Sequence, residues 1–326
     1  MDWGSIFGNT VGTLLSPVTF AFALGALGLA VHFGFAGLLN FGIAGYMAIG
    51  AYGYAISVLT FGLPWWLAVI ASLAASVVFS LVLGIPTLRL RGDYLAIVTI
   101  ASAEVLRLLF LTQAFGEFTG SADGLYGYHD SFRASSPFPV GQYGFGPFMF
   151  NKDDLWVVII SLVILGACAY LLWSLMRSPW GRVIKGIRED EDAVRSLGKN
   201  VFAYKMQALI IGGLFGTLGG VVYILPSSVN PGTYATALTF FVWTALLLGG
   251  AATVFGPILG SIIFWLLQAF LSNLLPQLAA NGYLPFMTSI QSATVRFILV
   301  GVGLMLLVIY RPQGILGDKK ELTFVK

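Results

Sequence analysis

Apolar runs of bilayer length recur along the whole chain, and no soluble fold accommodates them. They lie at 14–33, 35–59, 63–88, 93–115, 154–176, 203–225, 237–252, 255–275 and 291–310. A helix needs about 20 apolar residues to cross the hydrocarbon core. Backbone polar groups in lipid must be satisfied within helices or a closed barrel. Hydrophobic residues make up 58% of the 326 and charged residues 10%, against about 25% charged in soluble domains. Such a composition cannot supply a soluble surface. The sequence therefore predicts an all-α fold, a polytopic transmembrane helical bundle of about nine spans, as a single domain over 1–326. The seventh run is short and ends in Gly249–Gly250. It reads as a broken or half-depth helix, tolerable only where it is buried in protein or lines a cavity.

The basic residues orient the spans. Thirteen of the 17 Lys and Arg fall in three places: Arg89 and Arg91, the stretch Arg177 to Lys205, and the tail from Arg311 to Lys326. The positive-inside rule puts all three in the cytoplasm, and an even number of runs separates them. The N-terminus is then expected outside and the C-terminus in the cytoplasm. The first dozen residues hold Asp2 and no Lys or Arg, unlike the basic start of a cleavable signal peptide. The segment 116–153 falls outside, with Glu117, Asp123, Asp130 and Asp153 set against Arg133 and Lys152. Its Gly, Pro and aromatic content predicts turns and a short hairpin. A solvated connector accounts for it, but its length also fits a docking loop for an external partner.

Charge concentrates in "RVIKGIREDEDAVRSLGKN", 182–200, which holds nine of the 31 charged residues. Ser178–Pro179 reads as a helix start, and Val183, Ile184 and Ile187 share one face. A second short helix follows. Asp190, Glu191 and Asp192 occupy its first turn, Arg195 and Lys199 its far end, and Gly198 stops it. Glu191 and Arg195 form an i,i+4 pair. Ala193, Val194 and Leu197 make a small apolar patch. Two readings stand. One is a solvated hairpin between spans; the other is a short rigid helix pair presented to a soluble motor.

Motifs for substrate chemistry are missing. No G-x-x-x-x-G-K-[ST] occurs, and His32 and His129 form no H-E-x-x-H. One cysteine, Cys168, excludes an internal disulfide and a cysteine-built zinc site. "GGLFGTLGG" at 212–220 lies inside a span, where small residues favour close helix packing. Intramembrane polar groups are sparse, and such groups face protein or a water-filled path. Glu104 and Arg107, one turn apart, read either as path residues or as a structural pair locking two helices. Ala36, Asn40, Ala44 and Ala48 follow at i,i+4 and read as a packing stripe or as a lining of the path.

Five blocks then carry a family resemblance: "GFAGLLNFGIAGYMAIGAY" (34–52), "GIPTLRLRGDYLAIVTI" (84–100), "GRVIKGIREDEDAVRSLGKNVFAYKMQALIIGGLFGTLGGVVY" (181–223), "LLLGGAATVFGPILGS" (246–261) and "YRPQGILG" (310–317). In this order they resemble the LivM-type permeases of bacterial branched-chain amino-acid ABC importers. The resemblance implies a permease subunit forming half of a translocation path for leucine, isoleucine and valine. It implies a LivH-like second permease, two ABC ATPase subunits that carry the ATP and magnesium, and an extracellular or periplasmic substrate-binding protein. No cofactor is expected on this chain, and no enzymatic activity. The expected place is the bacterial cytoplasmic (inner) membrane. By position, the segment 178–200 is the cytoplasmic coupling segment. Arg188, Glu189, Asp190, Glu191, Asp192, Ala193, Val194, Arg195, Leu197 and Gly198 are its ATPase-coupling residues. Asn40, Ala44, Ala48, Glu104 and Arg107 are translocation-path candidates. "TGSADGLYG" resembles a family loop motif, which makes Asp123, Gly124 and Leu125 binding-protein docking candidates. A sister importer for urea, short amides or another small solute has the same architecture. An ion-coupled secondary carrier would need unpaired intramembrane acids, and Glu104 is the sole good candidate.

Overall fold

The computed structural model describes residues 2–88, 92–281, 289–311 and 313–317. Helix α1 (Trp3–Gly12) leads through a 3-10 turn into α2 (Pro17–Leu29), which continues as a π-helix over Ala30–Phe35. Then come α3 (Ile43–Leu59), α4 (Trp65–Thr87), α5 (Gly92–Leu111) and the short α6 (Gly116–Thr119) and α7 (Asp130–Ala134). A hairpin of β1 (Gln142–Phe145) and β2 (Phe148–Asn151) precedes α8 (Lys152–Arg177). The chain ends with α9 (Pro179–Glu189), α10 (Glu191–Ser196), α11 (Val201–Ile224), α12 (Thr236–Gly249), α13 (Gly256–Ala280) and α14 (Ser289–Tyr310). Among the described residues six helices are long and apolar enough to cross a membrane: Pro17–Phe35, α4, the Tyr94–Leu111 part of α5, α8, α11 and α13. Helix α12 has 14 residues and reaches about 21 Å, short of a hydrocarbon core about 30 Å thick. The seventh run is thus short, as expected.

Helix α11 is the hub, and its glycines explain why. Gly212, Gly213, Gly216, Gly219 and Gly220 are all buried. A methyl on Gly219 would stand 2.7 Å from the Ala21 carbonyl oxygen of α2; one on Gly216 would stand 2.6 Å from Ile43 Cδ1 of α3. Gly28 and Gly212 abut each other's backbone across the α2–α11 seam. Without a hydrophobic force between helices in lipid, such close backbone approach is what holds them. The packing reading of 212–220 stands. Helix α4 completes the core with Ser72, Ser76 and Ser80, each fully buried at i,i+4. Ser80 Oγ donates to the Ser76 carbonyl at 2.9 Å and lies 3.1 Å from Tyr46 Oη, whose hydroxyl proton it can accept. The opposite face of α4 exposes Ile70, Val78, Val82 and Ile85. Polar-in and apolar-out is the pattern expected of a helix facing lipid or an apolar partner surface.

The elements sort to two ends. At one end Gly34 and Gly37 meet Arg188, Gly34 also meets Ala251, and Leu88 lines a polar pocket with Lys199 and Lys205. Gly250 and Gly314 pack backbone to backbone there. Ile315 and Leu316 N–H donate to the Leu248 and Gly249 carbonyls at 3.0 and 2.9 Å. The "RPQGILG" stretch thus satisfies carbonyls that the end of α12 leaves open. At the other end Asp2 meets Gln277, Trp65 packs edge-on to Phe132, and Leu125 pairs with Val229. Arg89, Arg91, Lys319, Lys320 and Lys326 lie outside the described residues.

Candidate functional site

The segment between α2 and α3 departs most from the sequence reading. The second run was expected to be helical from 35 onward. Instead α3 begins at Ile43, and residues 37–42 are irregular. Ala36, Asn40, Ala44 and Ala48 therefore form no i,i+4 stripe: Ala36 and Asn40 lie off the helix that carries Ala44 and Ala48. Irregular backbone this buried survives only where its polar groups find partners, and here they do. Leu38 N–H donates to the His32 carbonyl at 2.7 Å, and Phe41 N–H to Thr99 Oγ1 at 3.0 Å. Gly42 N–H donates to Asn40 Oδ1 at 2.7 Å, and Trp243 Nε1–H to the Asn40 carbonyl at 3.0 Å.

Asn40 and His32 form one buried network. His32 sits in the π-helix, and both residues are fully buried. The His32 Nε2–H donates to the Leu209 carbonyl of α11 at 3.0 Å, which leaves Nδ1 to accept from Asn40 Nδ2 at 3.0 Å. That pattern assigns the neutral ring with its proton on Nε2. The sequence showed both residues but placed Asn40 in a helix, so their pairing was not legible. Ala44 and Ala48 are buried on α3, and Ala44 N–H donates to Thr239 Oγ1 at 3.2 Å.

Glu104 and Arg107 do pair, with contacts of 2.5 to 3.0 Å. The pair lies within α5 alone and so locks no two helices together. The Glu104 side chain keeps 37% exposure and Arg107 19%.

Helices α9 and α10 follow the predicted pair, with corrections. Ser178 stands at the N-cap position, but its hydroxyl donates back to the Leu175 carbonyl at 2.7 Å and caps nothing. Asp190, expected in the first turn of the second helix, is its N-cap: its carboxylate accepts from Ala193 N–H at 2.9 Å and starts α10. Gly198, at φ +74°, ends it. Glu191 accepts from Arg195 at 2.9 Å and from Lys205 of α11, and Asp192 accepts from Arg195 at 3.1 Å. Ile184 and Ile187 are buried, which seats α9 on the bundle. The expected three-residue patch divides. Val194 is buried against Gly186, whereas Ala193 is exposed and Leu197 is 78% exposed. Arg188 lies inside, its side chain 4% exposed, while Glu189 beside it faces out. Docking by Arg188 and Val194 themselves therefore has no surface to use.

The segment 116–153 is more structural than the sequence implied. Gly124, at φ +73°, lies against the Val229 carbonyl, and Leu125 exchanges two backbone hydrogen bonds with Val229 at 2.9 and 3.0 Å. Tyr128 Oη donates to the Ser227 carbonyl at 2.6 Å, and His129 Nε2 lies 3.1 Å from the same oxygen. The loop thereby covers the open carbonyls past α11. Asp123 is exposed, Gly124 is buried and Leu125 lies between. Among the described residues no group of three or more His, Cys, Asp or Glu is placed to hold a metal.

Comparison with known proteins places this architecture. The family described as branched-chain amino acid transport system / permease component matches residues 13–309. The chain belongs to this permease family. The high-affinity branched-chain amino acid transport system permease protein LivM of Escherichia coli K12 is 31% identical over 318 residues, covering 93% of this chain and 69% of that relative. The probable branched-chain amino acid transport permease protein LivM of Methanocaldococcus jannaschii is 26% identical over 267 residues, 79% of this chain and 69% of the relative. The guanosine ABC transporter permease protein NupQ of Bacillus subtilis is 27% identical over 220 residues, 61% of this chain and 65% of the relative. As a permease of this family the chain is a multi-pass inner-membrane transport component.

Proposed function

We propose that this permease is one half of the translocation path of an ATP-driven importer for leucine, isoleucine and valine. In this reading α2, α3, α4, α5, α8, α11, α12, α13 and α14 make nine crossings, with α12 short. The N-terminus and the loop 116–153 lie outside. The end that holds α9, α10 and the C-terminus lies in the cytoplasm. The clustering of Lys199, Lys205, Arg195 and the 313–317 strap at one end supports that orientation. A LivH-like permease covers part of the exposed apolar flanks. Two ABC ATPases bind ATP and magnesium and meet the outer face of α10. A binding protein outside delivers the solute to the loop around Asp123. The chain itself performs no chemistry and binds no cofactor. Asn40, Ala44 and Ala48 act from the core, and Glu104 and Arg107 from a part-exposed face of α5.

One observation carries the coupling reading. Helix α10 is capped at both ends and held by Glu191 to Lys205 of α11, yet it presents Ala193, Leu197 and Asp192 outward. A rigid face of that kind transmits a push that a solvated loop would absorb. Charge reversal across Glu189, Asp190, Glu191 and Asp192 is expected to uncouple ATP hydrolysis from uptake while the spans stay folded. Leucine uptake into vesicles holding the assembled complex is the measurement, and normal uptake by the reversed protein refutes the reading. The E. coli relative exceeds the guanosine permease in identity and coverage, which favours amino acids as solute. Competition of leucine uptake by excess guanosine would instead support the nucleoside class.

A further inference from the structure

A docking face moves the path only if something ties it to the spans. Helix α9 is tied to the π-helical end of α2 at three points. Arg188 Nη1 donates to the Gly34 carbonyl. Gly37, at φ +69°, lies against the same arginine, the position of its missing Cβ being 3.3 Å from Arg188 Cγ. Lys185 Nζ stands 5.7 Å from the centre of the Phe35 ring. Lys185 and Arg188 are three residues apart and share one face of α9. The arrangement is favourable on two counts. Carbonyls at a helix C-terminus lack intrahelical partners, and the helix dipole favours a cation there.

The same π-helix reaches the rest of the core. His32 bonds the Leu209 carbonyl of α11, and Gly34 abuts Ala251 in the α12–α13 turn. Asn40, paired with His32, accepts from Trp243 of α12. π-Helical turns inside α-helices cluster at functional sites. A single six-residue π-helix thus contacts α9, α11 and the α12–α13 turn.

We propose that Arg188 is a positioning residue for transport: its guanidinium clamps α9 to the π-helical end of α2. Motion of α9–α10 then reaches α2, α11 and α12 as one body. The inference rests on the coupling role proposed for α9–α10. It places Arg188 inside the device, where it relays the ATPase contact and does not make it.

The test uses the assembled transporter in lipid vesicles with leucine and its binding protein. Arg188→Gln is expected to assemble and to keep basal ATPase activity. Its uptake per ATP should fall at least about tenfold, the lower end of what one lost charge-assisted hydrogen bond represents, and Arg188→Lys should restore part of it. Parallel loss of assembly, ATPase activity and uptake marks a purely structural role and overturns the proposal. A second measurement keeps the question decidable. Amide exchange over 34–38 should rise in Arg188→Gln and fall back in Arg188→Lys, while exchange over 191–198 stays as in the parent. Unchanged exchange over 34–38 overturns the clamp, as does failure of both variants to assemble. Normal uptake by the charge-reversed α10 would defeat the coupling reading itself. An uncoupled α10 variant beside a fully coupled Arg188→Gln would defeat only the clamp.

Discussion

Replacing Gly220 by alanine tests the α3–α11 seam on which the core depends. A Cβ there would lie 2.6 Å from the Met47 carbonyl carbon and 2.8 Å from Met47 Cα. Carbon atoms rest about 3.5–4.0 Å apart, so the helices must separate by about 1 Å. The Met47 carbonyl oxygen is nearer still, all three obstructing atoms are backbone, and no rotamer change relieves them. Across the same seam Gly50 meets the Thr217 backbone in the same way, its missing Cβ 2.8 Å from the Thr217 carbonyl carbon. Opening the seam therefore loosens two contacts together. Overpacking of this kind costs about 1–3 kcal/mol, with the loosened Gly50 contact pushing toward the upper figure. Alanine's higher helix propensity returns up to about 1 kcal/mol. The expected net loss is about 2 kcal/mol. Gly166 of α8 is the control, because nothing stands within 4 Å of its missing Cβ. Both variants would be heated in the same detergent and unfolding followed by circular dichroism and by loss of the monodisperse peak. Gly220→Ala should melt earlier than the parent, and Gly166→Ala at the same temperature or later. A Gly220→Ala protein that melts no earlier than Gly166→Ala refutes close backbone packing as the basis of the seam.

Two further outcomes follow from the buried polar groups and the caps. Asn40→Leu leaves His32 Nδ1 and the Gly42 N–H without partners, at about 1–3 kcal/mol each; an unchanged melting midpoint would show that the network contributes nothing. Asp190→Ala removes the cap of a six-residue helix, worth about 1 kcal/mol. Amide exchange over 191–198 should then rise while exchange in α11 stays as before, and uniform exchange would count against local capping.

The hydrophobic pattern was legible because lipid tolerates few solutions. Long apolar runs must be helices, and the runs at 154–176 and 203–225 match α8 and α11 with ends shifted by one or two residues. The hairpin in the segment 116–153 and the short α9–α10 pair were also legible. Glycine spacing marks the turns, and the helix dipole sorts acids from bases. Local spacing failed where a partner distant in the chain decides the outcome. Asn40 reads as helical by its neighbours, yet Trp243, Thr99 and His32 satisfy the backbone and side chain of an irregular segment instead. The stripe of Ser72, Ser76 and Ser80 has a clear i,i+4 signal that marks a buried face of α4.

Sequence by itself determined the class of molecule, the rough positions of its spans and the place where its charge collects. Each of those follows from transfer free energies and from periodicity, which are properties of neighbours along the chain. Only the tertiary structure decided that Arg188 and Val194 turn inward while Leu197 stays out, and that Gly124 and Leu125 close over the end of α11. It also decided that His32 and Asn40 share one buried network. Those outcomes depend on which backbone carbonyl from elsewhere in the chain arrives within hydrogen-bonding distance, and no local pattern encodes that arrival.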